Sequence, residues 1–565
     1  MALDVAYQRV QPQTDLKGSL LFKYRLAKGL TMVSLLAIVL MAASSIFYPN
    51  FMYTTDSNSG GDTTSDSTNQ PSQNNQDGRC YLPATMKMPT SPDGSYTPPV
   101  PHRSLVRAVN FASPEEYQGY CEQYDQEIGG YSDVWKYNEN GECGNWQEKY
   151  IKLHKESMDI MEKYKNGDFP SDIDVADRPK FISYLCKEVP KDSNRGCGGL
   201  ADRMGGMIST MFYALLTDRA YLLNWAEMNP LPLEAVLERP HVEWSHDPEE
   251  MEALFTDERN ELLGYQKVDT LNKKAKVLTN IIFPDGGEHT EWKDLWNGTY
   301  VEVRSNRGYI LRTFEVSKKY AKIANDMGLT TENAFRCLTN FLFRPTIGAR
   351  RFLNAYKQLF AMESVLSIGI QVRTDDNALA NPEFDVNNLE KWGHFVKCAA
   401  DLAAFKKRDH HNHIVFFLVT DSAHLRDEFI SMNSNRELAA KYIPEDILGI
   451  SSMVITGLPI EHIEPDQIAK YIDVKQHREV NLARMTPGVN SAFMENWLLG
   501  ETQYRVISIQ GYGKMAAFYS GDDKTSISMP KPSKVNDVFV NPDISCASDD
   551  SFTTFKWLSN TWSLG

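Results

Sequence analysis

The chain has 565 residues, of which 42% are hydrophobic and 24% are charged, so it has the composition of a globular protein with enough apolar residues for two or three units. Its formal net charge at pH 7 is −15. This acidic balance argues against nucleic acid or an anionic membrane surface as the main partner, because both need a basic face.

The first element in chain order is an apolar segment at residues 29–55 that contains no charged residue. Its core, residues 30–48, is about long enough to span a bilayer as a helix. Lys and Arg dominate the preceding charges and acids follow, so the positive-inside rule predicts a cytosolic tail over 1–28, a membrane anchor over 29–53 and a lumenal body. A cleaved signal peptide is the alternative, although the apolar stretch exceeds a usual signal core.

A polar stem is predicted after the anchor, over residues 54–100. Residues 54–79 are nearly all Ser, Thr, Asn, Gln, Gly and Asp, which cannot bury enough apolar surface to offset chain entropy. Asn297 begins an Asn-Gly-Thr glycosylation sequon, which is useful only in the secretory lumen. The layout of tail, span, stem and large lumenal body resembles that of type II Golgi glycosyltransferases.

All eight cysteines follow the predicted anchor, where an oxidising compartment permits disulfides. Two pairs are close enough in sequence to close short loops, namely Cys121 with Cys143 and Cys186 with Cys197. Cys337 and Cys398 lie in apolar, helix-like surroundings that are typical of buried free thiols. The pairing itself cannot be read from the sequence.

The first globular half is predicted over residues 101–350. Helix-like segments at 117–124 and 146–164 are expected to cap it. A glycine loop at 196–199 is followed by apolar residues at helical spacing and by an apolar run at 220–223, so we expect a loop, a helix and a buried strand of a Rossmann-like unit. Such a loop binds anions through backbone N–H groups in some proteins and is a packing device in others.

The second half is predicted over 351–525, with a C-terminal extension over 526–565. It alternates strand and helix patterns, and the apolar runs predict buried parallel strands. The predicted strands are 365–372, 414–419 and 504–508. The predicted helices contain residues 392–403, 425–429 and 489–499, and a turn is predicted at 509–517.

Polar groups follow three of these strands, where ligands bind in open α/β sheets. Arg373 follows the first strand, Asp421 the second, and Ser508 ends the third. The Arg373 guanidinium suits a diphosphate because its fork of donors binds two oxygens and keeps its charge. Asp421 suits ribose hydroxyls or a base N–H. The sequence therefore predicts a nucleotide-sized cleft.

The glycine turn after the third strand adds two candidates, Gly511 and Gly513, whose backbones allow close approach to phosphates. The alternative for all these positions is ordinary strand-end chemistry. In that case Arg373 pairs with Asp375 or Asp376.

Two sequence patterns are candidates for a metal-binding site. Asp172-Ile173-Asp174 matches the Asp-x-Asp metal signature of a different glycosyltransferase fold, but no apolar strand precedes it, so a solvated loop is expected. His410, His411 and His413 lie at a polar edge before a strand, where a solvent-exposed turn is expected. We predict no metal.

Three blocks of the sequence resemble the fucosyltransferase superfamily, which includes plant xyloglucan-type, bacterial nodulation-type and protein O-fucosyltransferases. GGLADRMGG with FYALLTDRAYLL is similar to its glycine-loop block, IGIQVRTDD to its arginine block, and FFLVTD with VISIQGYGKMAAFYSG to its nucleotide blocks. The similarity covers about residues 190–225 and 364–521.

The resemblance implies the GT-B fold, an α/β architecture with two Rossmann-like domains facing a cleft. It also implies inverting transfer from GDP-fucose, without metal or another cofactor, to a glycan or glycoprotein in the Golgi lumen. Arg373 would stabilise the leaving diphosphate, and Asp202 is a candidate general base. Donor contacts are assigned to Gly198, Gly199, Arg203, Arg373, Asp375, Asp421, Ser508, Gly511, Tyr512 and Gly513.

This sequence departs from the family pattern at three points. Gln371 stands where the fullest arginine blocks carry His, a single Arg373 replaces two consecutive arginines, and Asp202 stands where Asn is common. The acceptor and the linkage therefore cannot be copied from the two-arginine group. A lumenal carbohydrate-binding protein without turnover, or a transferase for another GDP-sugar, remains an alternative.

Overall fold

The computed structural model describes residues 96–130, 141–168, 178–186, 198–225, 232–256, 264–270, 281–374, 378, 382–460, 482–535, 538–542 and 544–563. All of them belong to one compact unit, Ser72–Gly565. The predicted tail, the anchor and nearly all of the stem lie outside the described residues. Of the helices that are described, none combines the length and the apolar character needed to cross a bilayer.

Helices and parallel strands alternate along the described chain. The helices are α1 (Arg103–Val109), α2 (Pro114–Gly130), α3 (Gln147–Lys165), α4 (Leu200–Leu216), α5 (Pro248–Thr256), α6 (Trp292–Leu295), α7 (Ile310–Val316), α8 (Lys318–Asp326), α9 (Ala334–Leu342), α10 (Ile347–Phe360), α11 (Leu389–Lys406), α12 (Ala423–Ser431), α13 (Arg436–Ala439), α14 (Glu445–Leu448), α15 (Leu482–Glu501), α16 (Gly511–Ser520) and α17 (Phe555–Ser563). The strands are β1 (Phe181–Leu185), β2 (Ala220–Asn224), β3 (Leu237–Glu238), β4 (Tyr265–Asp269), β5 (Tyr300–Arg304), β6 (Arg344–Pro345), β7 (Val365–Val372), β8 (His413–Thr420), β9 (Ser451–Val454), β10 (Tyr504–Ser508), β11 (Ser526–Met529), β12 (Ser533–Val535) and β13 (Val538–Val540).

The first half contains a four-stranded sheet in the order β2-β1-β5-β4, and all its pairs are parallel. Phe181 of β1 lies opposite Ala220 on one side and Tyr300 on the other. Every residue of β1 is buried, as expected for a strand covered on both faces. The chain adds β2 on one side of β1, crosses to the opposite edge at β4, and then places β5 between β4 and β1. The direction of building therefore changes at β1, between β2 and β5.

The second half contains a five-stranded parallel sheet in the order β11-β10-β7-β8-β9. The chain starts at β7, builds outwards through β8 and β9, and returns to the other side of β7 at β10. Ligands bind at such reversals, outside the carboxyl ends of the strands. The predicted α/β class is confirmed, with two parallel sheets. β2, β7, β8 and β10 agree with the predicted strands within one residue at each end.

The two halves share one apolar core, to which helices α4, α9, α15 and α16 contribute. α16 packs against both α4 and α9, so helices of the two halves meet directly. A second cluster covers the other face of the second sheet beneath α11 and α12. A third lies between the first sheet and helices α3 and α5. Each sheet is therefore covered on both faces.

The N-terminal helices do not all belong to the first half. α3 packs on β2 as expected, but α1 packs on β9 and α2 on α10. The Tyr120 hydroxyl of α2 donates to the Ala355 carbonyl at 2.8 Å. The expectation that both N-terminal segments cap the first half is therefore wrong for the segment at 117–124, which lies in α2.

The second sheet also continues beyond residue 525. β11 lies within the predicted C-terminal extension, yet it pairs with β10. α17 packs on both α16 and α7. β11 and α17 are thus part of the folded body.

The disulfides differ from the short-loop expectation. Cys143 pairs with Cys337, 194 residues away, and Cys398 with Cys546, 148 residues away. The predicted pair of Cys121 with Cys143 and the predicted free thiols at Cys337 and Cys398 are therefore wrong. Pairing depends on which helices pack together, which sequence distance does not report. Cys121 and Cys186 are also disulfide-bonded, and Cys197 lies outside the described residues.

The histidines before β8 are not all exposed. His410 is exposed, but His411 and His413 are buried. The His413 ring stacks on Phe111 of the loop after α1, with 4.2 Å between ring centroids. Burial lowers the pKa of His413 to about 4, so this ring is neutral at pH 7. The expected solvent-exposed turn is correct for His410 alone.

Candidate functional site

A cavity of about 440 Å³ lies between the two halves. The first half contributes the start of α4 and the segment after β5, and the second half contributes the ends of β7 and β8, the segment after β10, and α15 and α16. Its wall consists of Gly199, Leu200, Ala201, Asp202, Arg307, Gln371, Val372, Arg373, Val419, Thr420, Asp421, Pro459, Ile460, Ser491, Ala492, Glu495, Ile509, Gln510, Gly511, Tyr512 and Lys514. The strand-order reversals of both sheets therefore open onto the same space.

Arg373 directly follows β7, and its guanidinium Nη1 donates to Oδ2 of Asp421, which directly follows β8. Their side chains are 19% and 10% exposed. Oδ1 of Asp421 accepts from the backbone N–H of Thr374 at 2.7 Å. Burial raises the pKa of Asp421, while the charge of Arg373 and the Thr374 N–H lower it. Asp421 thus holds the guanidinium in the cavity wall.

Ser508 lies behind Arg373. Its hydroxyl accepts from the backbone N–H of Arg373 at 2.9 Å and donates to the Gln371 carbonyl at 3.2 Å. The Ser508 N–H donates to Gln371 Oε1 at 3.1 Å. Ser508 is buried and lies outside the cavity wall, so it fixes the end of β7 against the end of β10. A direct phosphate contact of Ser508 stays a prediction.

The segment after β10 is a helix from Gly511, where a turn was predicted through residue 517. Gln510 is its N-cap residue, and Gly511 and Tyr512 line the cavity. The first N–H groups of a helix lack intrahelical acceptors, and the helix dipole there favours an anion. Gly513 is a packing residue, because a Cβ atom there would lie 2.7 Å from Gln371 Oε1.

The glycine loop before α4 supplies the wall from the first half. Gly198 has a φ of 76°, in the left-handed region that favours glycine, and Gly199 is the N-cap residue of α4. Asp202 lies in the first turn and lines the cavity. Arg203 is fully buried and outside the wall. Its Nε donates to the Gly198 carbonyl at 2.9 Å, so it supports the loop from behind.

Several predicted positions lie away from the cavity or outside the described residues. Asn297 is exposed between α6 and β5, as a glycosylation acceptor requires. Asp375, Asp172 and Asp174 lie outside the described residues. Among the residues that the structure describes, no group of three His, Cys, Asp or Glu side chains forms a candidate metal site.

Three ionisable wall residues were not predicted from the sequence: Arg307 after β5, Glu495 on α15 and Lys514 on α16. Burial raises the pKa of Glu495 to about 7, while a hydrogen bond from the Thr456 hydroxyl and the charge of Arg426 lower it. Burial lowers the pKa of Lys514 to about 8. For Glu495 and Lys514 the available signal was a charged residue inside an otherwise apolar helix pattern, in FMENWLL and GKMAAF. Shifts of this kind cluster at functional sites.

Comparisons with known proteins add a structural likeness. No family model and no curated relative matches the chain. The structure is similar to that of a mutant of Arabidopsis thaliana FUT1 in complex with GDP, with a TM-score of 0.45 and 16% sequence identity over 71% of this chain and 80% of that chain.

Proposed function

We propose that the protein is an inverting GT-B glycosyltransferase that transfers fucose from GDP-fucose to a glycan or glycoprotein. The observation that carries the proposal is the position of Arg373, at the strand-order reversal of the second sheet and in the wall of the cavity between the halves. The cavity volume falls in the range of about 300–1,000 Å³ that is usual for small-ligand sites.

The charges of the second half suit a diphosphate leaving group. Arg373 offers planar donors, Asp421 fixes their direction, and the N-terminus of α16 adds backbone N–H groups. Lys514 lies in the same wall and is mainly protonated at pH 7 because its pKa stays near 8. These groups stabilise the negative charge that develops on the diphosphate, so the proposed reaction needs no metal ion.

The first half supplies the acceptor side in this proposal. Asp202 lines the cavity from the first half, whereas the proposed diphosphate site belongs to the second half. In an inverting displacement the acceptor hydroxyl attacks the anomeric carbon from the face opposite the leaving group, and a carboxylate on that face takes its proton. We assign that role to Asp202. The choice of fucose as the transferred sugar and the assignment to the GT-B fold both rest on the resemblance of the three sequence blocks to the fucosyltransferase superfamily.

The proposed location is the Golgi membrane, with one N-terminal span and the body in the lumen. The uncharged segment at 29–55 and its flanking charges support this topology. The two disulfides of the described residues are compatible with an oxidising lumen.

GDP release by the detergent-solubilised full-length chain tests the activity. With GDP-fucose we expect slow release of GDP without acceptor, faster release with a glycan mixture, and no loss in EDTA. Asp202→Asn should reduce acceptor-dependent turnover and leave GDP binding unchanged, whereas Arg373→Ala should reduce both. Turnover that EDTA abolishes, or that requires a UDP-sugar, contradicts the proposal. Turnover with GDP-mannose but not with GDP-fucose contradicts fucose as the transferred sugar. The proposal that the protein is a glycosyltransferase would then still hold.

A further inference from the structure

Part of the cavity wall is mainly apolar and carries one carboxylate. This part, called the slot below, consists of Pro459, Ile460, Ser491, Ala492 and Tyr512, together with Glu495. The Ser491 hydroxyl donates to the Pro459 carbonyl, which joins α15 to the segment after β9. Ser491 and Glu495 are four residues apart on α15 and therefore lie on one face of that helix. The Tyr512 hydroxyl donates to the Ala492 carbonyl at 2.7 Å, which fixes the tyrosine ring against α15. A flat apolar ring with polar edges fits such a slot.

The position of Glu495 places the carboxylate away from the proposed diphosphate site. Its Oε1 accepts from the hydroxyl of Thr456, which lies two residues after β9. β9 is two strands from β7 in the sheet order, which corresponds to about 10 Å at the usual strand spacing. That separation is comparable with the reach from a diphosphate to the far edge of its nucleobase.

Asp421 is less suited to read a base. Both of its oxygens already accept hydrogen bonds within the protein, Oδ2 from Arg373 and Oδ1 from Thr374. Glu495 accepts at Oε1 from Thr456, and its residue retains 7% exposure within the cavity wall. The slot therefore contains a better candidate than the one predicted from the strand ends.

We propose that Glu495 is the residue that selects guanine among nucleobases. Its carboxylate accepts hydrogen bonds from the N1–H and the exocyclic N2–H of guanine, which are adjacent donors on one edge. This inference rests on the proposed function, since it takes the nucleoside diphosphate site as given. Adenine places a lone pair at N1 and uracil places a carbonyl oxygen beside its N–H, so both oppose a carboxylate.

The ionisation of Glu495 agrees with this role. The charged and titratable groups that interact with it are Arg426 on α12, Tyr512 on α16 and Tyr356 on α10. Arg426 favours the carboxylate, whereas burial opposes it and sets the pKa near 7. Two donors from a base favour the ionised form further. GDP affinity is therefore expected to fall as the pH decreases from 8 to 6.

Nucleotide affinities of the full-length protein test the assignment. At pH 8, GDP, IDP, ADP and UDP are titrated into the wild type, Glu495→Gln and Glu501→Gln by calorimetry. IDP lacks the N2 amino group and so isolates one of the two proposed hydrogen bonds. Glu501 is a matched control on the same helix, outside the cavity wall, where it pairs with Lys357 at 3.3 Å.

The wild type should bind GDP at least about tenfold more tightly than IDP, because a hydrogen bond to a charged group is lost. Glu495→Gln should weaken GDP binding about tenfold or more and bring the ratio of the GDP and IDP affinities close to one. Glu501→Gln should keep the wild-type ratio of these affinities. A folded Glu495→Gln variant, verified by its melting curve, that keeps the wild-type ratio overturns the guanine assignment and leaves the transferase proposal intact. Equal weakening of all four nucleotides also overturns it. A wild type that binds none of them removes the proposed function itself.

Discussion

At the residue scale, the main feature of the site is a guanidinium whose direction is set by a carboxylate from the neighbouring strand. Arg373 and Asp421 both directly follow strands of the second sheet, and the register places Val372 opposite Thr420, the residues just before them. The pair is therefore a consequence of parallel pairing. Because Asp421 holds the guanidinium, its direction in the cavity wall is set before a ligand binds.

Replacing Arg373 by alanine is expected to affect binding and stability separately. GDP affinity should fall at least about tenfold with the lost charge-assisted hydrogen bonds. The free energy of unfolding should fall by about 3 kcal/mol, because Asp421 is left buried without its cation. Calorimetry with GDP and denaturant unfolding measure the two effects.

The double variant Arg373→Ala with Asp421→Asn is the control for this pair. It removes the unpaired charge, so most of the lost stability should return while GDP affinity stays low. Recovery of wild-type GDP affinity in the double variant would show that Arg373 acts by neutralising Asp421 and does not contact the nucleotide.

The stability of the protein should depend on Glu495 in a pH window set by its pKa. The folded pKa near 7 exceeds the unfolded value of 4.5, so the folded state binds more protons between these values and stability decreases as the pH rises through the window. Glu495→Gln stays neutral, and at pH 8 it should be more stable than the wild type by about 3 kcal/mol. Unfolding curves at pH 5 and pH 8 check this, and an equal difference at both values would contradict it.

At the element scale, the beginning of α16 is positioned by close packing on the strand before it. A Cβ atom on Gly513 would lie 2.7 Å from Gln371 Oε1 and 2.8 Å from Ile507 Cβ. That Gln371 oxygen accepts from the N–H of Ser508, whose hydroxyl in turn holds the backbone of Arg373. The absence of a side chain at Gly513 therefore lets the helix start next to the end of β7.

Gly513→Ala is expected to disturb this junction. Overpacking should reduce the free energy of unfolding by about 1–3 kcal/mol and weaken GDP binding through the displaced Gln371. Gly119→Ala on α2 is the matched control, because nothing lies within 4 Å of its Cβ position and alanine is the better helix former by about 0.5–1 kcal/mol. Thermal unfolding and calorimetry compare the two. If both variants behaved alike, the close contact at Gly513 would have no energetic role.

The sequence predicts elements well where one periodicity dominates. The apolar runs of β7, β8 and β10 stand out because a parallel strand is buried on both faces. The start of α16 was predicted as a turn because glycine disfavours helices, whereas here glycine is required by tertiary packing. The same limit applies to α1 and α2, since an amphipathic pattern shows that a face is buried and does not show against which half.

At the scale of the whole molecule, the site is assembled from segments far apart in the sequence. Arg373 and Asp421 were predicted together because parallel strands end at one edge of a sheet. Glu495 was not predicted, because its proposed role depends on which face of α15 meets the cavity. Ser508 and Arg203 were assigned to the ligand from the sequence blocks, and the structure places both behind the wall.

The proposed membrane topology has a test that is independent of catalysis. The sequence contains one Asn-x-Ser/Thr sequon, and its Asn297 is exposed. When the full-length chain is expressed in secretory cells, enzymatic removal of N-glycans should lower its apparent mass by that of one glycan. Asn297→Gln should abolish this change in mass. A wild-type chain that is never glycosylated would contradict a lumenal body.

The long-range disulfides impose an order on biosynthesis. Cys398 on α11 pairs with Cys546, which follows it by 148 residues. During synthesis Cys398 therefore emerges well before its partner and stays a reactive thiol until residue 546 has been made. A chain truncated before residue 546 leaves Cys398 without its partner, so under oxidising conditions such a chain should form mixed disulfides through this thiol.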